Sequence, residues 1–194
     1  PSDVKNIVNQ EYLDSLQETT EIEALYLANN LQEGFIFHYL RQGSEDLIND
    51  DAYRVQHLFE YLTSIDENKL KEAWKYAQSK YPILRLRFAW KNQLVQVIDK
   101  NCNLNWTSID LSSVLDKLEQ QTRIKDIQEE DRTIAFKLDA SPLIRIYLIK
   151  LNVNSYQCII SSHHAIIDGW SNNLLFNFVH DTYVKLTKLN ISEK

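Results

Sequence analysis

Glycine is scarce in this chain, 3 of 194 residues, against a usual share of ~7%. A glycine-rich loop that cradles phosphate with its backbone is therefore excluded, and each glycine present needs a local reason. Methionine is absent. The chain begins at Pro1, so the expectation is either a removed initiator or a segment of a longer polypeptide. Cysteine is limited to Cys102 and Cys158. Two such separated thiols do not make a disulfide scaffold and fit a reducing, cytoplasmic setting. No apolar run nears the ~18 residues of a membrane span, and no basic-then-apolar leader resembles a signal peptide. Basic residues are outnumbered, 21 Lys and Arg against 27 Asp and Glu, for a net charge of −6. That argues against duplex nucleic acid, whose phosphates need a clustered positive surface. Neither nucleic acid nor membrane is expected as a partner.

What is present reads as a globular chain. Hydrophobic residues are 44% and charged residues 25%, which excludes a collagen or a disordered tail. Residues 1–21 are polar with scattered apolar positions, a short helix or a loose lead-in. Helical spacing predicts helices over about 30–41, 66–80, 112–131 and 171–189. Asp66 and Ser171 are the expected caps of the second and fourth, and Tyr81-Pro82 ends the second. In the third, Val114, Leu115, Leu118, Ile124 and Ile127 form the expected apolar side. Residues 43–51 read as a loop. Period-two alternation from Tyr53 to Tyr61 predicts a strand. Residues 84–90 and 94–98 predict a pair joined at Lys91-Asn92-Gln93, and 144–151 and 156–162 another joined at Asn152-Val153-Asn154. The order implies an α/β (α+β) sandwich, a mixed β-sheet covered by helices, with nothing that splits residues 22–194.

The densest chemistry lies at Ser161-Ser162-His163-His164-Ala165-Ile166-Ile167-Asp168-Gly169-Trp170-Ser171, where a strand gives way to a helix. Such ends put reactive groups on a rigid scaffold facing a ligand. Histidine exchanges a proton near neutrality, an aspartate can orient a ring or hold a loop, and Gly169 permits close backbone approach. By spacing alone, adjacent histidines read as one core and one exposed residue. Trp170 reads as packing area.

The string from His163 to Gly169 resembles the HHxxxDG signature of condensation domains of nonribosomal peptide synthetases, in the chloramphenicol-acetyltransferase-like superfamily. Three further segments stand in the family's order. Leu31-Gln32-Glu33-Gly34-Phe35-Ile36-Phe37-His38 resembles MQEGLLFH, and Ala73-Trp74 with 80–88 (KYPILRLRF) resembles AW…RHPILRTxF. Residues 136–145 (FKLDASPLIR) resemble FDLSxAPLxR. The resemblance implies a chloramphenicol-acetyltransferase-like lobe that forms a peptide (amide) bond. A carrier-bound acceptor amine attacks the thioester of a donor aminoacyl or peptidyl group. His164 is the implied catalytic residue, as base or positioning group. His163, Asp168 and Gly169 are implied structural, with Arg85 the implied ion-pair partner of Asp168. No cofactor is implied on the lobe itself, because the substrates ride on the phosphopantetheine of peptidyl carrier proteins. Those donor and acceptor carriers are the implied partners, with the C-terminal lobe and an adenylation domain in cis. The early segment resembles the subtype that takes a donor ending in a D-residue, with Asn29-Asn30 as its departure. Only the first of the family's two lobes is matched, so this segment alone is expected to show little or no condensation activity.

Three other readings bear on the same residues. A metal centre would need three or four ligands, and nothing near His163, His164 and Asp168 completes one. A serine triad lacks its nucleophile elbow. A catalytically silent module that docks carriers or a second lobe would expose a large apolar face.

Overall fold

The computed structural model describes residues 7–18, 20–41 and 53–189. In chain order these form α1 (Gln10–Gln17), β1 (Ile22–Leu27), α2 (Asn30–Arg41), β2 (Arg54–Tyr61) and α3 (Glu67–Lys80). A 3-10 turn (Pro82–Arg85) leads into β3 (Leu86–Ala89), β4 (Val95–Asp99) and β5 (Trp106–Asp110). Then come α4 (Lys117–Thr133), β6 (Ile144–Asn152), β7 (Ser155–His163) and α5 (Gly169–Leu189). The strands form two sheets rather than one. The larger is mixed, in the order β2-β7-β6-β5, with only β5 and β6 parallel. The smaller is antiparallel, β1-β4-β3.

Alternation along the strands decides which helix covers which face. Ile146, Leu148, Cys158 and Ile160 point into the main core, with Leu70, Ala73 and Trp74 of α3 and Leu175, Val179 and Tyr183 of α5. Ile149 and Ile159 point the other way, onto Ile124 of α4. The four-stranded sheet thus lies between α4 and the α3–α5 pair, and β7 runs through its interior toward the motif. Cys158, on that strand, is a buried thiol whose pKa burial raises to about 12.

The helix boundaries follow local chemistry. Asp66 caps α3 by accepting from the Lys69 N–H, and Tyr81, ahead of Pro82, leaves the helix in extended geometry. Helix α4 starts at Lys117, capped by Asp116, rather than near 112. Leu115 and Leu118 are correspondingly exposed, at 92% and 71%. β1 and β5 are the strands that the sequence patterning missed. Residues 84–85 belong to the 3-10 turn. The predicted 43–51 loop lies outside the described residues. Residues 7–18 are built in. Tyr12 and Leu16 of α1 pack on Leu25, Val95 and Val97, and Arg87 Nη2 donates to the Leu16 carbonyl at 3.0 Å. The same arginine holds the buried Asp99 carboxylate through Nε, at 3.0 and 3.1 Å.

A second buried carboxylate, Asp131, closes α4 onto the large sheet. It is 1% exposed and accepts from Arg145 Nε (2.7 Å), Tyr147 Oη (2.8 Å) and Gln56 Nε2 (2.8 Å). Arg145 and Arg54 also donate to the carbonyls of Asp131 and Ile134 at the helix end. Burial alone would raise the Asp131 pKa; the hydrogen bonds it accepts and the Arg145 charge outweigh that and hold it below 3.8. Asp131→Asn keeps the shape but leaves the Arg145 guanidinium, 7% exposed, without its counter-charge. The expected loss is about 3 kcal/mol, read as a lower urea midpoint at neutral pH. A carboxylate with a depressed native pKa stabilises above its unfolded pKa and less as pH falls. The gap between wild type and Asp131→Asn should therefore be full at neutral pH and shrink below about pH 4. An unchanged gap at pH 3 would refute the assignment.

Candidate functional site

The motif begins where β7 runs out. His163 N donates to the Leu143 carbonyl at 3.1 Å and His164 N to the Tyr53 carbonyl at 2.7 Å, so neighbouring segments on both sides fix the backbone of the pair. The strand then breaks into a turn. The Ile166 N–H returns to the His163 carbonyl, and α5 starts at Gly169.

The two histidines do different things. His163 is 7% exposed, and its Nδ1 accepts from the Ala165 N–H at 3.1 Å. Its ring meets Phe35, Tyr53 and Phe136, with centroids about 6 Å apart. Arg145 lies over the Phe136 ring, 3.9 Å from its centroid, so the Asp131 cluster reaches the motif through one ring. His164 is exposed, and its Nδ1 lies 3.1 Å from the Ile167 carbonyl. A carbonyl only accepts, so this contact calls for a proton on Nδ1. In the neutral ring Nε2 is then the acceptor atom.

Helix α2 supplies the floor. Phe35 packs 5.7 Å from the His164 ring and 4.6 Å from Tyr53, and His38 meets Tyr53 edge-on at 5.2 Å. Gln32, buried, donates from Nε2 to the Ala165 carbonyl (3.3 Å) and to Gln96 Oε1 (3.0 Å), tying the motif turn to β4. Its Oε1 accepts from the Asn29 N–H, while Asn29 Oδ1 accepts from the Gln32 N–H. This reciprocal pair is a capping box. Sequence reasoning gave Gln32, Tyr53 and Phe136 no place in the site; the Asn29–Gln32 spacing was the signal available for the first.

Asp168 and Arg85 do not meet. Asp168 Oδ1 accepts from the Ser171 N–H at 2.8 Å, and its carbonyl accepts from the Asn172 N–H. Asp168 is therefore the cap of α5, in place of the expected Ser171. The carboxylate also sits at the positive end of the helix, and the Ser171 hydrogen bonds hold its pKa below the ordinary value. Arg85 is buried elsewhere. Its Nε donates to the Gln78 carbonyl (2.9 Å) and its Nη1 to Glu23 (2.7 Å) and the Asp99 carbonyl (2.6 Å). Those acceptors, Glu23 on β1 and the carbonyls at the ends of α3 and β4, replace the Asp168 partner that the resemblance implied. Gly169 has nothing within 4 Å of where a Cβ would stand, so the fold itself does not require it there. Trp170 is 88% exposed rather than packed. It is followed by Leu174, 68% exposed, on the rim of an apolar cavity of about 380 Å³ that Ile166 and Ile167 also line. Among the described residues no group of three or more His, Cys, Asp or Glu is placed to hold a metal ion. No helix among them is long and apolar enough to cross a membrane.

The chain is similar to several large synthetases. It is 40% identical over 171 residues to N-(5-amino-5-carboxypentanoyl)-L-cysteinyl-D-valine synthase of Penicillium rubens, covering 88% of this chain and 4% of that protein. It is 28% identical over 170 residues to bacitracin synthase 1 of Bacillus licheniformis, covering 87% of this chain and 3% of that one. The chain thus spans only a few per cent of the length of these relatives. Among solved structures, the starter condensation domain of rhizomide synthetase superposes with a TM-score of 0.74 at 18% identity, over 86% of this chain and 40% of that one. That likeness shows the shared chloramphenicol-acetyltransferase-like fold. The family model described as Condensation domain matches residues 22–192, and on that match the chain belongs to the condensation-domain family.

Proposed function

We propose that this chain is the first lobe of a domain that forms a peptide bond between two carrier-bound substrates. The observation that carries the proposal is His164, an exposed residue at the end of β7 whose Nδ1 lies 3.1 Å from the Ile167 carbonyl. An acceptor amine placed at Nε2 attacks the donor thioester carbonyl; a C–N bond forms, the C–S bond breaks, and the carrier thiol leaves with a proton. Nε2 accepts the proton the amine loses or hydrogen-bonds the amine in place, and holding two reactants in register supplies rate of its own. His163 does not touch substrate in this reading. Its buried ring, in contact with Phe35 and Phe136, anchors the strand end that presents His164.

The substrates ride on the phosphopantetheine of donor and acceptor carriers. The remaining partners are the domain's second lobe and an adenylation domain in the same synthetase. Exposed Trp170 and Leu174 beside the cavity at Ile166 and Ile167 suit a face that the second lobe covers. The same face favours a second reading, a silent docking module. The exposed His164, its ring against the Ile167 carbonyl, weighs against it, since docking alone has no use for a positioned imidazole. The two free cysteines fit a cytoplasmic setting. The α2 segment, resembling the D-donor pattern, favours a donor ending in a D-residue.

Two experiments test the reading in the complete synthetase that carries this chain, loaded with donor and acceptor thioesters. His164→Ala should cut dipeptidyl-carrier formation by about a hundredfold or more, with carrier loading unchanged. Undiminished product would leave the docking reading in its place. Asp168 separates a cap from an ion pair. Asn caps a helix about as well as Asp, so Asp168→Asn should keep most of the turnover while Asp168→Ala loses it. Equal loss in both would show that the turn needs the carboxylate's charge rather than its capping hydrogen bond.

A further inference from the structure

Two glutamines, Gln96 on β4 and Gln32 on α2, link the small sheet to the motif turn, and the ends of the link set the direction of every hydrogen bond in it. At one end Gln96 Nε2 donates to the Leu27 carbonyl of β1 at 2.9 Å. A carbonyl only accepts, so Gln96 turns its Oε1 toward Gln32. Gln32 meets it with Nε2 at 3.0 Å, and the same nitrogen reaches the Ala165 carbonyl at 3.3 Å. At the other end the Asn29 N–H, which only donates, meets Gln32 Oε1 at 3.0 Å. Both ends therefore require one orientation of the Gln32 amide. Turned over, it would set an oxygen against two acceptors. At 6% exposed, Gln32 has little water to make good that loss.

The bond to Ala165 acts on the peptide just after His164. That peptide is held at both edges: its N–H, from Ile166, goes to the His163 carbonyl at 3.1 Å, and its carbonyl takes Gln32. The Ala165 N–H also returns to His163, and the Ile167 carbonyl meets His164 Nδ1. Among the described residues, the hydrogen bond from Gln32 is thus the one that ties residues 165–167 to an element outside the turn. The side chains of Ala165, Ile166 and Ile167 are buried, but apolar burial is non-directional and does not fix the tilt of a peptide plane. A tilt there carries the Ile167 carbonyl with it, and that carbonyl is what the His164 ring rests against.

We propose that Gln32 is a positioning residue for peptide-bond formation. It touches no substrate; it holds the motif turn so that the Ile167 carbonyl meets His164 Nδ1. The inference rests on the reading of His164 as the group that meets the acceptor amine. Misplacing a reacting group by about 1 Å costs on the order of a hundredfold in rate, so one hydrogen bond in the turn has the reach to matter.

Gln32→Glu is the sharper test. It keeps the volume and the acceptor for the Asn29 N–H but loses the donor. Gln96 can turn its amide to answer the new carboxylate; the Ala165 carbonyl cannot. Gln32→Leu removes donor and cap together. In the complete synthetase, single-turnover transfer to the acceptor carrier should fall about tenfold or more in each, with carrier loading unchanged. In the purified chain, the nitrogen NMR shifts of the His164 ring should move away from those of a neutral ring protonated at Nδ1. Ile124→Ala, behind the large sheet on α4, is the stability control. It should lower the urea midpoint and leave both rate and ring shifts as in wild type. Wild-type transfer in the Gln32 variants would overturn the proposal. So would a lost rate with unchanged His164 shifts, or an equal loss in Ile124→Ala, which would make stability the cause. Full turnover in His164→Ala would instead overturn the reading of His164 itself, whatever the Gln32 variants do.

Discussion

A carboxylate taken out of water must be met by hydrogen bonds and an opposite charge, or the fold that buries it fails. Asp131 is such a group, and the large sheet is arranged around meeting it. Its partners come from separate elements: Gln56 from β2, Arg145 and Tyr147 from β6. Those strands flank β7 on either side. Satisfying Asp131 therefore fixes the register of the two neighbours of the strand that ends in the motif. A one-residue slip of β6 would turn Arg145 to the opposite face, into the apolar core of Ile146 and Leu148.

The same network bears on chemistry through packing. Arg145 and Arg54 both lie against the Phe136 ring, and Phe136 meets His163. Phe35, on α2, packs near both histidine rings. His163 is thus buried among an arginine-backed ring, Phe35 and Tyr53. Close packing of its ring restricts the rotamers open to it, and the next residue, His164, is presented at the surface. This is the useful combination for a group that must be reached by a substrate and yet keep its aim.

How much of this the sequence disclosed follows from how local each signal is. Helices α3 and α5, the β6–β7 pair and the motif are local: period, cap residues and a dense string of unusual side chains mark them. β1 and β5 are not. β1 carries Ile22-Glu23-Ala24-Leu25-Tyr26-Leu27 with only Leu25 buried, so no clean alternation shows. β5 is mostly exposed and is held by parallel pairing to β6 some 40 residues on. Leu115 and Leu118 misled because apolar residues at helical spacing read as a core face, yet here they lie in solvent at and before the start of α4. The site was legible in its residues and illegible in its pairings. His163, His164 and Asp168 stand out in the string, but which arginine answers which carboxylate depends on distances the sequence does not carry.

The absence of an Asp168–Arg85 pair raises the question of what holds the motif turn, and an accounting of its polar groups answers it. The N–H groups of His163, His164, Ala165 and Ile166 go to the Leu143 carbonyl, the Tyr53 carbonyl, His163 Nδ1 and the His163 carbonyl. The Ala165 carbonyl accepts from Gln32 and the Ile167 carbonyl from the His164 ring. The Ser171 and Asn172 N–H groups end on Asp168. Each partner lies within the turn or on an element already packed against it. An additional salt bridge would pull Arg85 away from the Gln78 and Asp99 carbonyls, leaving those buried acceptors unmet. The turn is held by its own backbone and a capping carboxylate, and the arginine is free to organise a different part of the molecule.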